Sequence, residues 1–203
     1  MSLDFTKVAN DEAIGVTTEA LKANGFAVHV LDTQEEVKDA VLNLIPKGSE
    51  VFTNTSVTLD QTGIAEILNG PDYVSARNKM MELYNVPDKK KEMKQFAGTP
   101  EFTIGSAHAI TEDGKILIAS ASGSQFPSEA YGSENVIFVV GAQKLVKNFN
   151  EGVRRIEEHC VPLEQARAMA AYGIGTAFAK LLMINQDAPG RITVFILKKN
   201  IGF

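Results

Sequence analysis

The chain has 203 residues and a formal net charge of −5 at pH 7; 44% of the residues are hydrophobic and 22% are charged. A chain of this length suits one domain with its own hydrophobic core. The single cysteine, Cys160, excludes an internal disulfide and a multi-cysteine metal site, and it fits a reducing cytoplasm. The negative net charge argues against nucleic-acid binding, which requires a basic face.

No sequence feature indicates export or membrane insertion. The first 22 residues lack a long apolar run and carry the acidic side chains Asp4, Asp11, Glu12 and Glu19. No later apolar stretch approaches the roughly 20 residues that a bilayer requires. The basic run Lys89–Lys91 is flanked by acidic residues, so we interpret it as a solvated helix surface. We therefore expect a soluble, cytoplasmic protein that binds neither membranes nor nucleic acids.

In chain order, the first predicted elements alternate between helix and strand. They are a helix over 10–24, a strand over 26–31, a helix over 33–44, a strand over 50–53 and a helix over 58–68. The pairs Thr33–Glu36 and Thr58–Gln61 have the spacing of a capping box, which begins a helix. This alternation predicts parallel strands joined by right-handed crossovers.

The second half of the chain completes the predicted sheet. Segment 71–98 is irregular and is predicted to be a helical insertion. Asp113-Gly114 predicts the tight turn of a hairpin, because Gly tolerates positive φ. The predicted strands are 107–111 and 115–120 in the hairpin, and 136–140 and 192–197 in the buried sheet. We therefore predict a single α/β domain over residues 1–203 with a mostly parallel sheet.

Standard signatures of cofactor and metal sites are absent from the sequence. There is no P-loop and no His-Glu-x-x-His motif. Gly173 and Gly175 begin a pattern like a dinucleotide fingerprint, but Phe178 stands at the position of the third glycine. Cys160 and His159 are adjacent in a predicted helix, where neighbouring side chains diverge, so a Cys–His dyad is not expected. We predict no metal and no cofactor.

The loop that follows the strand at 50–53 is a candidate anion-binding site. Backbone N–H groups at a helix N-terminus, together with hydroxyl side chains, suit a carboxylate or a phosphate. The candidate ligand-binding residues in this loop are Asn54, Ser56 and Thr58. The alternative is that a hydroxyl only caps the helix, which accounts for one residue of the loop.

A second candidate lies in the segment 105–113. Strand alternation places Ser106 and His108 on one face. A histidine titrates near neutral pH and can hold an anion or transfer a proton, and Glu112 is a candidate nucleophile or base. The alternatives are a structural histidine and an exposed glutamate in a tight turn. His108 and Glu112 are the candidate catalytic residues.

A third candidate is the small, polar loop 120–128, whose backbone amides suit an anion. Its candidate ligand-binding residues are Ser122, Gly123 and Gln125, and the alternative is a mobile surface loop. Lys144 follows the strand at 136–140 and can add a cation. Because ligands of parallel sheets bind beyond the carboxyl ends of strands, one shared cleft is expected. Its predicted lining is Ser56, His108, Ser122 and Lys144.

Five motifs occur in order along the chain: Ser56–Leu59 with Gly63, Gly105–Gly114, Val136–Val146, a helix with Glu151, Arg154 and Arg155, and Arg191 with Gly202. Together they resemble the LUD domain, the lactate-utilisation family, over most of the chain and in particular its C-subunit type. The resemblance implies a twisted Rossmann-like sheet with helices on both faces, similar to the isomerase and CoA-transferase group (NagB/RpiA/CoA-transferase-like).

The resemblance also implies a part in oxidising lactate to pyruvate beside iron–sulfur subunits. Some relatives carry a cysteine cluster where this chain has no cysteine, at 170–176, so a redox role is not expected. The first hypothesis is a non-redox accessory component that binds a small anionic molecule. The alternatives are a transferase- or isomerase-like enzyme acting on a carboxylate, CoA ester or phosphorylated molecule through Glu112, and an interaction subunit without a ligand. The sequence is compatible with a homo-oligomer.

Overall fold

The computed structural model describes residues 3–203, which form eight α-helices and ten β-strands. The helices are α1 (Asp11–Ala23), α2 (Gln34–Leu44), α3 (Val57–Gln61), α4 (Ile64–Leu68), α5 (Ala76–Leu83), α6 (Lys90–Gly98), α7 (Phe149–Arg155) and α8 (Val161–Tyr172). The strands are β1 (Ala27–Leu31), β2 (Glu50–Thr53), β3 (Val74–Ser75), β4 (Phe102–Gly105), β5 (Ala109–Thr111), β6 (Ile116–Ser120), β7 (Asn135–Gly141), β8 (Leu145–Val146), β9 (Lys180–Ile184) and β10 (Ile192–Leu197).

The main sheet is parallel throughout and has the strand order β1, β10, β7, β4, β2, β3. The apolar strand β7 lies at its centre, where Phe138 is in register with Val194 of β10 and Gly105 of β4. Alternate residues of β7 enter two hydrophobic cores, one containing residues of α1 and the other residues of α2, α3 and α4. The prediction of an α/β fold with a mostly parallel, Rossmann-like sheet is confirmed.

The predicted hairpin forms, with β5 and β6 antiparallel and Ala109 opposite Leu117. It belongs to a second sheet, in the order β8, β5, β6, β9, which the sequence analysis did not predict. Strand β8 has two residues, too few for a periodic pattern, and each residue of β9 pairs with a residue of β6 at least 60 positions earlier in the chain. The additional sheet therefore depends on tertiary pairing.

Capping chemistry was predicted correctly at one helix and wrongly at another. At α2, Thr33 and Glu36 form the expected capping box. At α3 the N-cap is Ser56, whose Oγ accepts from the backbone N–H of Leu59 at 3.4 Å, and not Thr58. The predicted single helix to Leu68 is also interrupted, because Gly63 has a left-handed backbone (φ 71°) that ends α3 and precedes α4.

Segment 71–98 contains helices α5 and α6, and its short strand β3 extends the main sheet beside β2. Further along, α7 continues through a π-helical turn, Ile156–Cys160, into α8, where Pro162 lies in the first turn. None of the helices within residues 3–203 is long and apolar enough to cross a bilayer.

Candidate functional site

The carboxyl ends of β2, β4 and β7 are adjacent at one edge of the main sheet, since these three strands are neighbours and parallel. The chain leaves β2 toward α3, leaves β4 at Gly105, and leaves β7 through a 3-10 turn, Ala142–Lys144. Three residues predicted from the sequence meet here: Thr58, Ser106 and Lys144. Lys144 lies 86 residues after Thr58 and 38 residues after Ser106 in the sequence, yet it is within hydrogen-bond distance of both.

Lys144 is the centre of this network and is only 1% exposed. Its Nζ donates to Oγ1 of Thr58 at 3.0 Å, to Oγ of Ser106 at 3.1 Å and to the main-chain oxygen of Phe203 at 3.1 Å. Within residues 3–203 it forms no salt bridge with an Asp or Glu side chain. Burial, and secondarily the positive charge of Arg155, lowers the pKa of Lys144 to about 7.

Arg155, at the end of α7, is a second buried cation, with 0% exposure. Its Nη1 donates to the main-chain oxygen of His108 and to Sγ of Cys160, the latter at 3.0 Å. Nε and Nη2 are buried and have no hydrogen-bond partner among residues 3–203. Burial lowers the pKa of this guanidinium and raises the pKa of the Cys160 thiol. Buried N–H donors without acceptors are rare in folded proteins, so Arg155 is suited to an external acceptor.

His108 lies beside these cations as a neutral ring. Its Nδ1 accepts from the backbone N–H of Ala119 at 3.1 Å, so the proton of the neutral form is on Nε2. Burial, followed by the charges of Lys144 and Arg155, lowers the pKa of His108 to about 3. At neutral pH the imidazole is therefore a hydrogen-bond donor through Nε2 rather than a cation. Its predicted catalytic role stays a prediction.

A buried carboxyl group that the sequence analysis missed lies at the same sheet edge. Glu129, in a π-helical turn (Ser128–Gly132), is 0% exposed, and Asn54 donates to its Oε1 at 2.7 Å. Burial raises the pKa of Glu129 to about 8, although the hydrogen bond from Asn54 opposes this. A Cβ atom at Gly105 would lie 2.5 Å from Nδ2 of Asn54, so the absent side chain provides the room for this pair.

Of the buried polar residues at this edge, the sequence indicated Asn54 as a site residue but neither Glu129 nor Arg155. Asn54 was predicted as a ligand-binding residue, and the structure gives it Glu129 as its partner, 75 residues away. No local pattern marks Glu129 as buried, because charged residues are usually exposed. Arg155 was part of the family motif but was not selected as a site residue, because its contact with the main-chain oxygen of His108 joins residues 47 apart in sequence.

The third predicted loop is hydrogen-bonded within itself. Ser120 Oγ accepts from the backbone N–H of Gly123 at 2.9 Å and donates to Oε1 of Gln125 at 3.1 Å. Ser122 Oγ bonds to Ser124. Among the hydrogen bonds of residues 3–203, none joins this loop directly to Lys144. Membership of Ser122, Gly123 and Gln125 in a shared cleft, and any ligand contact by the N-cap Ser56, stay predictions.

Among the hydrogen bonds of residues 3–203, none joins Glu112 to Lys144. Its backbone N–H donates to the main-chain oxygen of Val146 at 2.9 Å, and the residue lines a surface cavity of about 400 Å³. Gln143, Lys147 and Glu151 line the same cavity. The catalytic role suggested for Glu112 stays a prediction, and the structure gives it surroundings separate from Ser106 and Thr58.

Comparison with known proteins is consistent with this architecture. The crystal structure of a DUF162 family protein from Deinococcus radiodurans superposes with a TM-score of 0.59 at 12% identity, over 94% of this chain and 99% of that chain. The crystal structure of eIF2B beta from Chaetomium thermophilum gives a TM-score of 0.39 at 13% identity, over 61% of this chain and 42% of that chain, which supports no conclusion. No curated protein matches the chain significantly.

The chain is an α/β protein with a parallel, Rossmann-like sheet, and polar residues lie at the carboxyl ends of its strands. The family model described as the LUD domain matches residues 14–197, and the chain belongs to that family, which is related to lactate utilisation proteins.

Proposed function

We propose that this LUD-family protein binds a small carboxylate or a phosphorylated small molecule beyond the carboxyl ends of β2, β4 and β7. One observation carries the proposal: Lys144 and Arg155 are both buried at this edge, and neither has an Asp or Glu side-chain partner within residues 3–203. Burying a cation without a counterion costs several kcal/mol. An anion bound beside Arg155, whose Nε and Nη2 have no acceptor within residues 3–203, offsets that cost and is therefore favoured at this position.

The available donors favour oxygen anions over other ligands. The guanidinium group has two nitrogens without acceptors, and planar N–H donors match a carboxylate or phosphate through paired hydrogen bonds. The neutral ring of His108 adds a donor through Nε2, and the hydroxyls of Thr58 and Ser106 lie around the lysine. The chain itself supplies a single cysteine, so the proposed role is non-redox.

We propose lactate utilisation as the setting of this binding step, because the family is related to lactate utilisation proteins. The role of accessory component beside iron–sulfur subunits is part of the same proposal. Lactate and pyruvate carry the carboxylate that the buried cations favour. The proposed partners are therefore a small anionic molecule and those subunits.

Calorimetric titration with lactate, pyruvate and inorganic phosphate tests the binding proposal. Lys144→Met should weaken binding of whichever anion the wild type prefers by about tenfold to a hundredfold, because a charge-assisted hydrogen bond contributes about 1.5–3 kcal/mol. Lys147→Met removes an exposed lysine three residues away and should leave affinity unchanged. Equal affinity in the wild type and in Lys144→Met, or no binding of any of the three anions at millimolar concentration, contradicts the proposal.

A second candidate function is an enzyme of the transferase or isomerase type acting on a carboxylate, a CoA ester or a phosphorylated molecule. The observation that favours it is the pKa of about 7 for Lys144, which leaves part of the amine neutral and able to act as a base or nucleophile near neutral pH. Turnover of such a substrate by the wild type and its loss in Lys144→Met would support the enzyme. Binding without turnover of any of these substrates would support the accessory component.

A further inference from the structure

The π-helical turn Ile156–Cys160 separates α7 from α8 and brings Cys160 beside Arg155. The backbone N–H of Val161 donates to the main-chain oxygen of Ile156, five residues earlier, as in a π-helix. Residues five apart are separated by about 140° around an α-helix and point to nearly opposite sides. The wider turn places Arg155 and Cys160 on one side, where Nη1 donates to Sγ at 3.0 Å. The contact therefore depends on the π-helical turn.

Two acceptors hold one end of the Arg155 guanidinium group. Nη1 donates to the main-chain oxygen of His108 and to Sγ of Cys160. The other two nitrogens, Nε and Nη2, are buried and have no hydrogen-bond partner among residues 3–203. In the planar guanidinium group these two nitrogens form one edge, which donates two parallel N–H bonds. That edge matches two neighbouring oxygens of a carboxylate or a phosphate.

The Cys160 thiol leaves the charge of Arg155 uncompensated. Burial raises the pKa of this thiol, although the charges of Arg155 and Lys144 oppose the shift, so the thiol is neutral at pH 7. A neutral sulfur accepts a hydrogen bond but supplies no negative charge, unlike an Asp or Glu side chain. Arg155 is also close enough to Lys144 for its charge to lower the pKa of that amine. The positive charge at this sheet edge is therefore retained for a ligand.

We propose that Cys160 is a positioning residue of the anion site. Its thiol and the main-chain oxygen of His108 hold Nη1 of Arg155, so that the edge formed by Nε and Nη2 binds two oxygens of a carboxylate or phosphate side by side. The inference rests on the proposed function and names the contact that orients the guanidinium group. It also narrows the ligand class, because an anion with two neighbouring oxygens uses both N–H donors and a single-atom anion does not.

Cys160→Ala and Cys160→Ser test this role, because the two variants differ by one hydroxyl group. The first readout needs no ligand: nitrogen-15 NMR of the Arg155 side chain, whose signals are assigned by their loss in Arg155→Lys. In the wild type and in Cys160→Ser, Nη1 and Nη2 should give separate signals, since a held group rotates slowly. In Cys160→Ala one acceptor is lost, and exchange between the two nitrogens should be at least about threefold faster.

The second readout is calorimetry with lactate and inorganic phosphate. Cys160→Ala should weaken binding of the preferred anion by about threefold to tenfold, and Cys160→Ser should bind within about twofold of the wild type. Ile156→Val is the matched control, because it removes one methyl group from a buried residue of the same turn and should change neither readout. If Cys160→Ala does not fold, Cys160→Val removes the acceptor while filling the space and takes its place.

Equal exchange rates in the wild type and in Cys160→Ala overturn the positioning role, whatever the binding data show. Faster exchange with unchanged anion affinity also overturns that role, and it leaves the anion-binding function in place. Faster exchange in a protein that binds neither anion, even as the wild type, overturns the anion-binding function and with it the role of Cys160.

Discussion

At the scale of single residues, burial moves three titratable groups at one sheet edge toward their neutral forms. The pKa of Glu129 is raised to about 8, that of Lys144 is lowered to about 7, and that of His108 is lowered to about 3. Each lacks an oppositely charged side-chain partner, so desolvation is the largest cause in all three. The carboxyl group of Glu129 is therefore mostly protonated at neutral pH, and the ring of His108 is uncharged.

The raised pKa of Glu129 predicts how the stability of the fold depends on pH. Its carboxyl group has an ordinary pKa of 4.5 in the unfolded chain and about 8 in the folded protein, so the folded state holds the proton more tightly. The contribution of this proton to the free energy of unfolding is fully present below about pH 4.5. It is lost as pH rises toward 8, by about 1.4 kcal/mol per pH unit. Glu129→Gln removes this titration, so it should stabilise the protein relative to the wild type at pH 7.5 but not at pH 4.5.

Urea unfolding followed by circular dichroism at the two pH values measures the difference in free energy of unfolding between wild type and variant. Glu134→Gln is the control, because it makes the same chemical change at an exposed glutamate. A difference for Glu129→Gln that does not change with pH would show that the carboxyl group is ionised, or solvated, in the folded protein.

At the scale of elements, the hairpin of β5 and β6 is docked on α1 through its turn. Nδ2 of Asn24 donates to the main-chain oxygens of Asp113 and Gly114, both at 3.1 Å. Gly114 has φ 79°, and a Cβ atom there would lie 2.8 Å from the main-chain carbon of Ala20. The turn therefore requires glycine both for its conformation and for contact with the helix.

Gly114→Ala should lower the free energy of unfolding at least about twice as much as Gly48→Ala. Gly48 also has positive φ (86°), but an added Cβ there meets nothing within 4 Å, so only backbone strain of about 1–2 kcal/mol is expected. The additional loss of unfolding free energy in Gly114→Ala comes from the contact between the turn and α1. Urea midpoints of the two variants measure it, and equal losses would contradict docking of the hairpin on the helix.

Local patterns predicted some elements well and others poorly. The strands at 50–53 and 192–197 were found with the bounds of β2 and β10, since apolar runs between turn residues depend on neighbours in sequence. The capping box was misplaced at Thr58 because its spacing to Gln61 matches the motif, whereas the helix begins two residues earlier at the hydroxyl of Ser56. Thr58 instead accepts a hydrogen bond from Lys144.

At the scale of the whole molecule, the sequence determined the α/β class, the parallel strands and the edge at which polar loops meet, because strand polarity and connection handedness follow from local order. It also selected Thr58, Ser106 and Lys144, which the fold brings together. Only the tertiary structure decided that Glu129 and Arg155 are buried at this edge, that Glu112 lines a surface cavity, and that the main-chain oxygen of Phe203 contacts the lysine. The physical reason is that burial and partner choice arise between residues distant in sequence, where no periodic pattern records them.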